Sequence, residues 1–142
     1  MTTLTLNEIL SRLKDLAGPG GYLEDRVDVE PFEVDFRKLY KGATPLVLRP
    51  DSTERISQIM KFCSETGTAV VPAGGNTGYC GGATPDESGE QIVLSLARLN
   101  KIRSVDPMNY TLTADAGCTL VQVQEAAEHV QAGLEPRRRQ AP

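Results

Sequence analysis

The stretch Val70-Val71-Pro72-Ala73-Gly74-Gly75-Asn76-Thr77-Gly78-Tyr79-Cys80-Gly81-Gly82 decides how this 142-residue chain is read. A short apolar run stops at a proline. Five glycines then follow within nine positions, separated only by Asn76, Thr77, Tyr79 and Cys80. Glycine loses more conformational freedom on ordering than any other residue, so such a cluster has a cause. Either the backbone turns repeatedly through positive φ, or it has to come very close to another group. A run of N–H groups with no Cβ in the way suits the oxygens of a phosphate or pyrophosphate. A mobile surface loop is the competing reading. The buried-strand character of Thr68-Ala69-Val70-Val71 tilts the balance toward an anion cradle.

Working outward, Pro45-Leu46-Val47-Leu48-Arg49-Pro50 reads as a short strand. Asp51-Ser52-Thr53-Glu54 opens a helix with either Asp51 or Ser52 as its cap. Ile56, Ile59, Met60 and Cys63 form its apolar stripe, and Gly67 ends it. Leu46 to Val71 is therefore a β-α-β unit running into the glycines, with a parallel strand pair expected. Ligands of such units sit beyond the carboxyl ends of the strands, where this loop begins. Further upstream, Thr5-Leu6-Asn7-Glu8 is a capping box with Leu4 and Ile9 as its staple. Leu6, Ile9, Leu10, Leu13 and Leu16 give that helix one apolar face, and Gly18 and Pro19 stop it. Residues 22–41 alternate acidic and apolar positions around Pro31 and suggest an extended surface arm, with Glu24, Asp25, Asp28 and Glu30 as a solvated face.

Downstream of the glycines come a polar turn over residues 83–89 and a strand over 91–96. Residues 102–105 and 110–114 form a hairpin around Asp106-Pro107-Met108-Asn109. A second glycine turn, Asp115-Ala116-Gly117-Cys118, leads to the capping box Thr119-Leu120-Val121-Gln122 and a helix through Val123, Ala126, Ala127 and Val130. Residues 131–142 lack apolar periodicity and carry Arg137-Arg138-Arg139, a run too short to imply nucleic-acid binding.

Hydrophobic residues at 39% and charged residues at 24% describe an ordinary globular protein. A net charge of −4 without a dominant basic face argues against nucleic acid as a partner. No apolar run approaches the ~20 residues of a membrane-spanning helix, and the N-terminus lacks a secretory signal. Cys63, Cys80 and Cys118 form neither a disulfide framework nor a metal-binding pair, so a reducing cytoplasmic location is expected. Cys63 reads as core. Cys80 lies in the loop with no base beside it and reads as passive. The loop is not a nucleoside-triphosphate P-loop, because no Lys-Ser or Lys-Thr follows it. Its Gly75, Gly78 and Gly81 spacing does not fit the dinucleotide GxGxxG pattern either. His129 is the single histidine, which removes a catalytic triad or a histidine metal site on inventory alone. These residues describe a binding site, with no catalytic residue and no metal.

Pro72-Ala73-Gly74-Gly75-Asn76-Thr77-Gly78 followed by Gly81-Gly82-Ala83-Thr84-Pro85 resembles the pyrophosphate loop of the vanillyl-alcohol-oxidase-type flavoproteins. Within them it is similar to the branch of D-lactate, D-2-hydroxyglutarate and glycolate dehydrogenases. Pro50-Asp51-Ser52-Thr53-Glu54, Leu96-Ala97-Arg98-Leu99-Asn100-Lys101-Ile102 and Ala116-Gly117-Cys118-Thr119-Leu120 resemble other segments of that family in the same order. The likeness covers about residues 34–128. It implies an α+β fold of two small α/β lobes, a PCMH-type FAD-binding domain with its second lobe incomplete. Residues 1–42 would be an N-terminal helix and arm, 43–130 the domain, and 131–142 an atypical tail.

The resemblance also implies FAD, its pyrophosphate held by N–H groups of residues 74–78 after the lead-in Pro72 and Ala73. Gly81, Gly82 and Gly117 would complete the pocket wall. With no histidine near the loop, the FAD is expected to be non-covalent. Tyr79 and Cys80 depart from the aliphatic residues usual in the branch. Such enzymes move hydride from the α-carbon of a small 2-hydroxy acid to flavin N5, and electrons pass on to an acceptor that these residues do not name. The family's second glycine-rich FAD segment and its substrate domain do not follow. A premature stop or frame change near His129 is therefore expected, with this chain the inactive N-terminal part of an oxidoreductase. The alternative is a non-catalytic FAD-binding remnant.

Overall fold

Three consecutive apolar residues, Ile92-Val93-Leu94, give a strand two apolar faces, and such a strand is stable when covered on both. The computed structural model, which describes residues 4–138, places that strand, β4 (Ile92–Ser95), inside a four-stranded sheet. The sheet order is β1 (Tyr22–Leu23), β2 (Val47–Leu48), β4, β3 (Val70–Ala73). β2 and β3 each run parallel to β4, both meeting it at Val93, and β1 joins β2 antiparallel. The expected direct pairing of β2 with β3 is thereby corrected: they share a direction, but β4 lies between them. Burial explains the order. All four β4 residues are buried, whereas β3 exposes Pro72 and takes the edge, where a residue without an N–H breaks no ladder.

The two faces of the sheet are covered by different elements. Leu46, Leu48, Ile92 and Leu94 pack against Leu13 and Ala17 of α1 (Leu6–Ala17) and Ile59 and Cys63 of α3 (Thr53–Thr66). The alternate residues Val47, Val93 and Ala73 pack with Val29 of the short helix α2 (Arg26–Val29). This is the period-two alternation of strands read in three dimensions.

The helix termini follow their sequence signals. At α1 the Glu8 carboxylate accepts the Thr5 N–H at 2.7 Å, and the Thr5 hydroxyl accepts the Glu8 N–H at 3.4 Å. Leu6, counted on the apolar face from its spacing, is exposed; the buried positions are Leu13 and Ala17. At α3 the cap is Ser52, whose hydroxyl accepts the Arg55 N–H at 3.3 Å, and Gly67 closes the helix in the left-handed region. Asp51 pairs instead with Arg55 at 3.0 Å and Arg98 at 3.5 Å.

Between β1 and β2 the chain is more than an extended arm. It contains α2, a 3-10 turn over Glu30–Phe32 and a bridge between Val34 and Lys41. Glu24, Asp25, Asp28 and Glu30 are exposed as expected, but Glu33 and Asp35 are buried, only 2% and 3% accessible.

The chain divides into two compact units, Met1–Arg98 and Leu99–Pro142. The first holds the sheet and its helices. In the second, β5 (Ile102–Asp106) and β6 (Thr111–Ala114) form the expected antiparallel hairpin, with an irregularity at Arg103. The Asp106 carboxylate organises its turn by accepting the N–H groups of Met108 and Asn109 at 3.0 and 3.2 Å. Helix α4 (Leu120–Arg138) opens on the Thr119–Gln122 box and continues past Val130, where the apolar periodicity ends. Periodicity reports a buried face and not helicity itself, so its loss did not mark the helix end. Arg139 and the three residues after it lie outside the described residues. No described helix is long and apolar enough to cross a membrane.

Ile59 is fully buried, and its neighbour Met60 is exposed. Ile59→Ala is expected to cost about 2–5 kcal/mol of unfolding free energy, and Met60→Ala about 0.5 kcal/mol or less, measured by urea denaturation.

Candidate functional site

The glycine loop begins where β3 leaves the sheet. Ala73 is buried opposite Ser95, and its carbonyl accepts the last ladder bond, from the Leu96 N–H at 3.0 Å. Pro72 and Ala73 thus fix the direction in which the loop departs. Among the described residues, none of the N–H groups of residues 74–78 donates to a protein acceptor.

The glycines of this loop are of two kinds. Gly81 is required by its own chain: its φ is +70°, and a Cβ there would lie 2.8 Å from the Tyr40 ring. Gly74, Gly75, Gly78 and Gly82 have no positive φ, and a Cβ on them would meet nothing closer than the Thr77 methyl, 4.0 Å from that of Gly75. Backbone conformation and internal crowding therefore leave these four glycines without a cause. N–H groups left bare in this way fit a polyanion. The Thr84 hydroxyl, two residues past Gly82, is a buried polar atom with no partner among the described residues.

Asn76 has φ +51°, which asparagine tolerates better than most residues, and its side-chain amide donates to the Val34 carbonyl at 2.9 Å. That bond ties the loop to a strap formed by residues 34–41. Asp35 organises that strap. Its carboxylate accepts the N–H groups of Arg37 at 3.0 Å and of Leu39 and Tyr40 at 2.7 Å each. Lys38 between them has φ +58°, a conformation that costs an L-residue about 1 kcal/mol or more, and its N–H donates to the Asp35 carbonyl at 3.0 Å. The Arg37 guanidinium lies 5.6 Å from the Tyr79 ring centre.

A second clamp closes the strap below. Glu33 accepts both guanidinium nitrogens of Arg26, at 3.0 and 2.7 Å, and the Thr44 N–H at 2.9 Å. A Cβ on Gly42 would sit 1.8 Å from the Pro85 carbonyl oxygen, and the next residue, Ala43, donates its N–H to Asp86 at 2.8 Å. Sequence reasoning missed Glu33, Asp35 and Thr44. Their signal was faint: two acids alternating with Phe32, Val34 and Phe36. Both carboxyl groups are held below their usual ranges. For Glu33 the hydrogen bonds from Arg26 dominate over the opposing effect of burial. For Asp35 the Tyr40 N–H contributes most, with Arg37 and Leu39 adding to it.

The remaining expected residues lie as follows. Thr77, Tyr79 and Cys80 are exposed on the loop. Gly117 belongs to the second unit, and its N–H donates to the Leu99 carbonyl at 2.8 Å. His129 is exposed on α4, with Nδ1 2.7 Å from the Glu125 carbonyl. Among the described residues, no three His, Cys, Asp or Glu side chains are grouped to hold a metal. A cavity of about 410 Å³ lined by Ser11, Lys14, Asp15, Gly18, Pro19 and Tyr22 shares no residue with the loop, and its Lys14 is already paired with Glu24.

A protein family described as FAD binding domain matches residues 44–140. That span continues beyond residue 129, where the likeness was expected to end. The probable mitochondrial D-2-hydroxyglutarate dehydrogenase of Oryza sativa subsp. indica is 36% identical over 120 residues, covering 84% of this chain and 21% of that protein. A putative mitochondrial D-lactate dehydrogenase of Schizosaccharomyces pombe is 40% identical over 96 residues, covering 68% of this chain and 18% of that protein. The chain spans about a fifth of the length of these relatives. A solved alkyldihydroxyacetonephosphate synthase shares the fold with a TM-score of 0.77 at 20% identity, covering 90% of this chain and 25% of that one. The mitochondrial names of the relatives overturn the expected cytoplasmic location. Unpaired thiols indicate a reducing compartment without saying which one.

Gly81→Ala is expected to destabilise the protein by about 1–3 kcal/mol, because it adds both strain and a clash with Tyr40. Gly78→Ala in open space should be neutral or stabilising by up to about 1 kcal/mol, read from the melting temperatures. The lowered carboxyl values of Glu33 and Asp35 mean that the unfolded chain binds more protons. Their contribution is therefore complete above about pH 5 and lost as pH falls below it. Glu33→Gln should accordingly melt below wild type at pH 7, and the gap should close on acidification.

Proposed function

Because this chain belongs to the FAD binding domain family, we propose that residues 74–78 hold the pyrophosphate of FAD, as the cofactor-binding part of an oxidoreductase acting on a D-2-hydroxy acid. One observation carries this reading. Four of the five loop glycines lack a positive φ and have no protein atom closer than 4.0 Å to a Cβ position, and the N–H groups of residues 74–78 find no acceptor among the described residues. Hydrogen bonds from N–H groups to anionic oxygens are about twice as strong as neutral ones, so several converging on two phosphates give a firm hold without any lysine. Gly74, Gly75 and Gly78 leave the backbone bare for that approach. Asn76 turns the chain, and Thr77 offers an exposed hydroxyl. Gly82 keeps the far wall open, and Gly81 lets that wall bend over Tyr40. Gly117 shapes its own turn through its bond to Leu99.

When bound, FAD supplies the acceptor for the hydride on the α-carbon of a 2-hydroxy acid. The relatives named as D-2-hydroxyglutarate and D-lactate dehydrogenases support that substrate class. The chain's only histidine lies on α4 and not on the loop, which supports non-covalent attachment.

The purified chain should retain a flavin spectrum after gel filtration with FAD. It should also gain about 2.7 kcal/mol of stability at a hundredfold excess over Kd. Loss of both signals at saturating FAD rejects the reading. Gly75→Val should keep the ligand-free melting temperature and weaken FAD at least ~10-fold, about 1.4 kcal/mol. Acid precipitation should release the flavin, and added D-2-hydroxyglutarate should leave it oxidised; bleaching would show turnover.

A further inference from the structure

We infer that the strap of residues 34–41 is the template that shapes the glycine loop, with the buried Asp35 as its positioning residue. This rests on the reading of the loop as a pyrophosphate cradle. The strap meets the loop at three places: the Val34 carbonyl accepts the Asn76 amide, the Arg37 guanidinium faces the Tyr79 ring, and the Tyr40 ring lies under Gly81. All three depend on one carboxylate. Val34 is the residue before Asp35, and the N–H groups of Arg37 and Tyr40 are both bound by it.

Apolar burial cannot substitute for these bonds. Phe36 and Leu39 are each 64% accessible and Tyr40 is 48% accessible, so the strap has no core of its own. The sheet core, by contrast, draws on no strap residue. A change at Asp35 should therefore release the strap and, through it, the loop, while the core stays intact. Asn76 is the connecting link, because its left-handed turn and its bond to Val34 set how the N–H groups around it are presented.

The test uses Asp35→Asn, Asn76→Gly and the double variant in the 142-residue chain. Asparagine at 35 keeps one acceptor oxygen and turns an amide toward a backbone N–H. Glycine at 76 keeps the left-handed turn and removes the tie. Each single variant should bind FAD ~10-fold more weakly. The ligand-free melting temperature of Asn76→Gly should stay close to wild type, and that of Asp35→Asn should fall at pH 7, because the bonds that hold its carboxylate low are lost. The double variant should be no weaker than the weaker single, because both changes cut the same connection. Trypsin should also cleave after the exposed Arg37, Lys38 and Lys41 faster in Asp35→Asn than in wild type.

If wild type does not bind FAD, the cradle reading fails and takes the template with it. If wild type binds FAD and Asn76→Gly binds equally well, the template alone is overturned; this variant decides even where Asp35→Asn fails to fold. Additive losses in the double variant, or unchanged trypsin cleavage in Asp35→Asn, also overturn it.

Discussion

A backbone N–H without an acceptor in its own chain is stable only where water or a ligand can reach it. The run from Gly74 to Gly78 lives under that constraint, and the rest of the first unit is built around it. The run must be exposed, so it leaves from an edge strand. It must also be held, so its origin at Ala73 is buried and paired with Ser95, and its course is tied to Val34 by Asn76. A loop meeting the first requirement alone would be mobile. Meeting both leaves N–H groups that are ordered yet unspent.

The two requirements are met by different forces. Apolar burial on both faces of β2 and β4 holds the sheet, and no charge takes part in that packing. The strap carries exposed aromatic and aliphatic side chains, and the buried carboxylates Glu33 and Asp35 hold it together. A buried carboxylate is tolerated because its oxygens are filled: Asp35 by three N–H groups, and Glu33 by a bidentate arginine and an N–H. Acid therefore acts on the strap before it acts on the core.

Local signals were legible in the sequence wherever cause and effect lie within a few residues. Thr5 with Glu8, Thr119 with Gln122, Gly67 after α3 and the Asp106 turn are all of this kind. The glycine loop was legible as a group, but Gly78 and Gly81 are the same letter in opposite settings: Gly81 turns through positive φ against the Tyr40 ring, and Gly78 lies in open space. Glu33 and Asp35 looked like Glu24 and Asp28, because a carboxylate's burial is decided by partners such as Arg26 and Thr44. The placing of β4 between β2 and β3 was hidden for the same reason. Two strands flanking a helix suggest a neighbouring pair, and only the burial of a later segment shows the gap they leave. The compartment could not be read from unpaired cysteines at all.

That gap matters during synthesis. β2 and β3 are both complete before any residue of β4 exists, so the growing chain presents two strand edges flanking an unfilled position. The glycine-bearing connection between β3 and β4 is then the tether that delivers the missing strand. Its closure entropy rises only slowly with its length. Until Val93 reaches Val47 and Val71, neither apolar face of the sheet can be sealed. A chain ending before residue 92 would lack the strand that both apolar clusters are built on, and would not be a smaller domain.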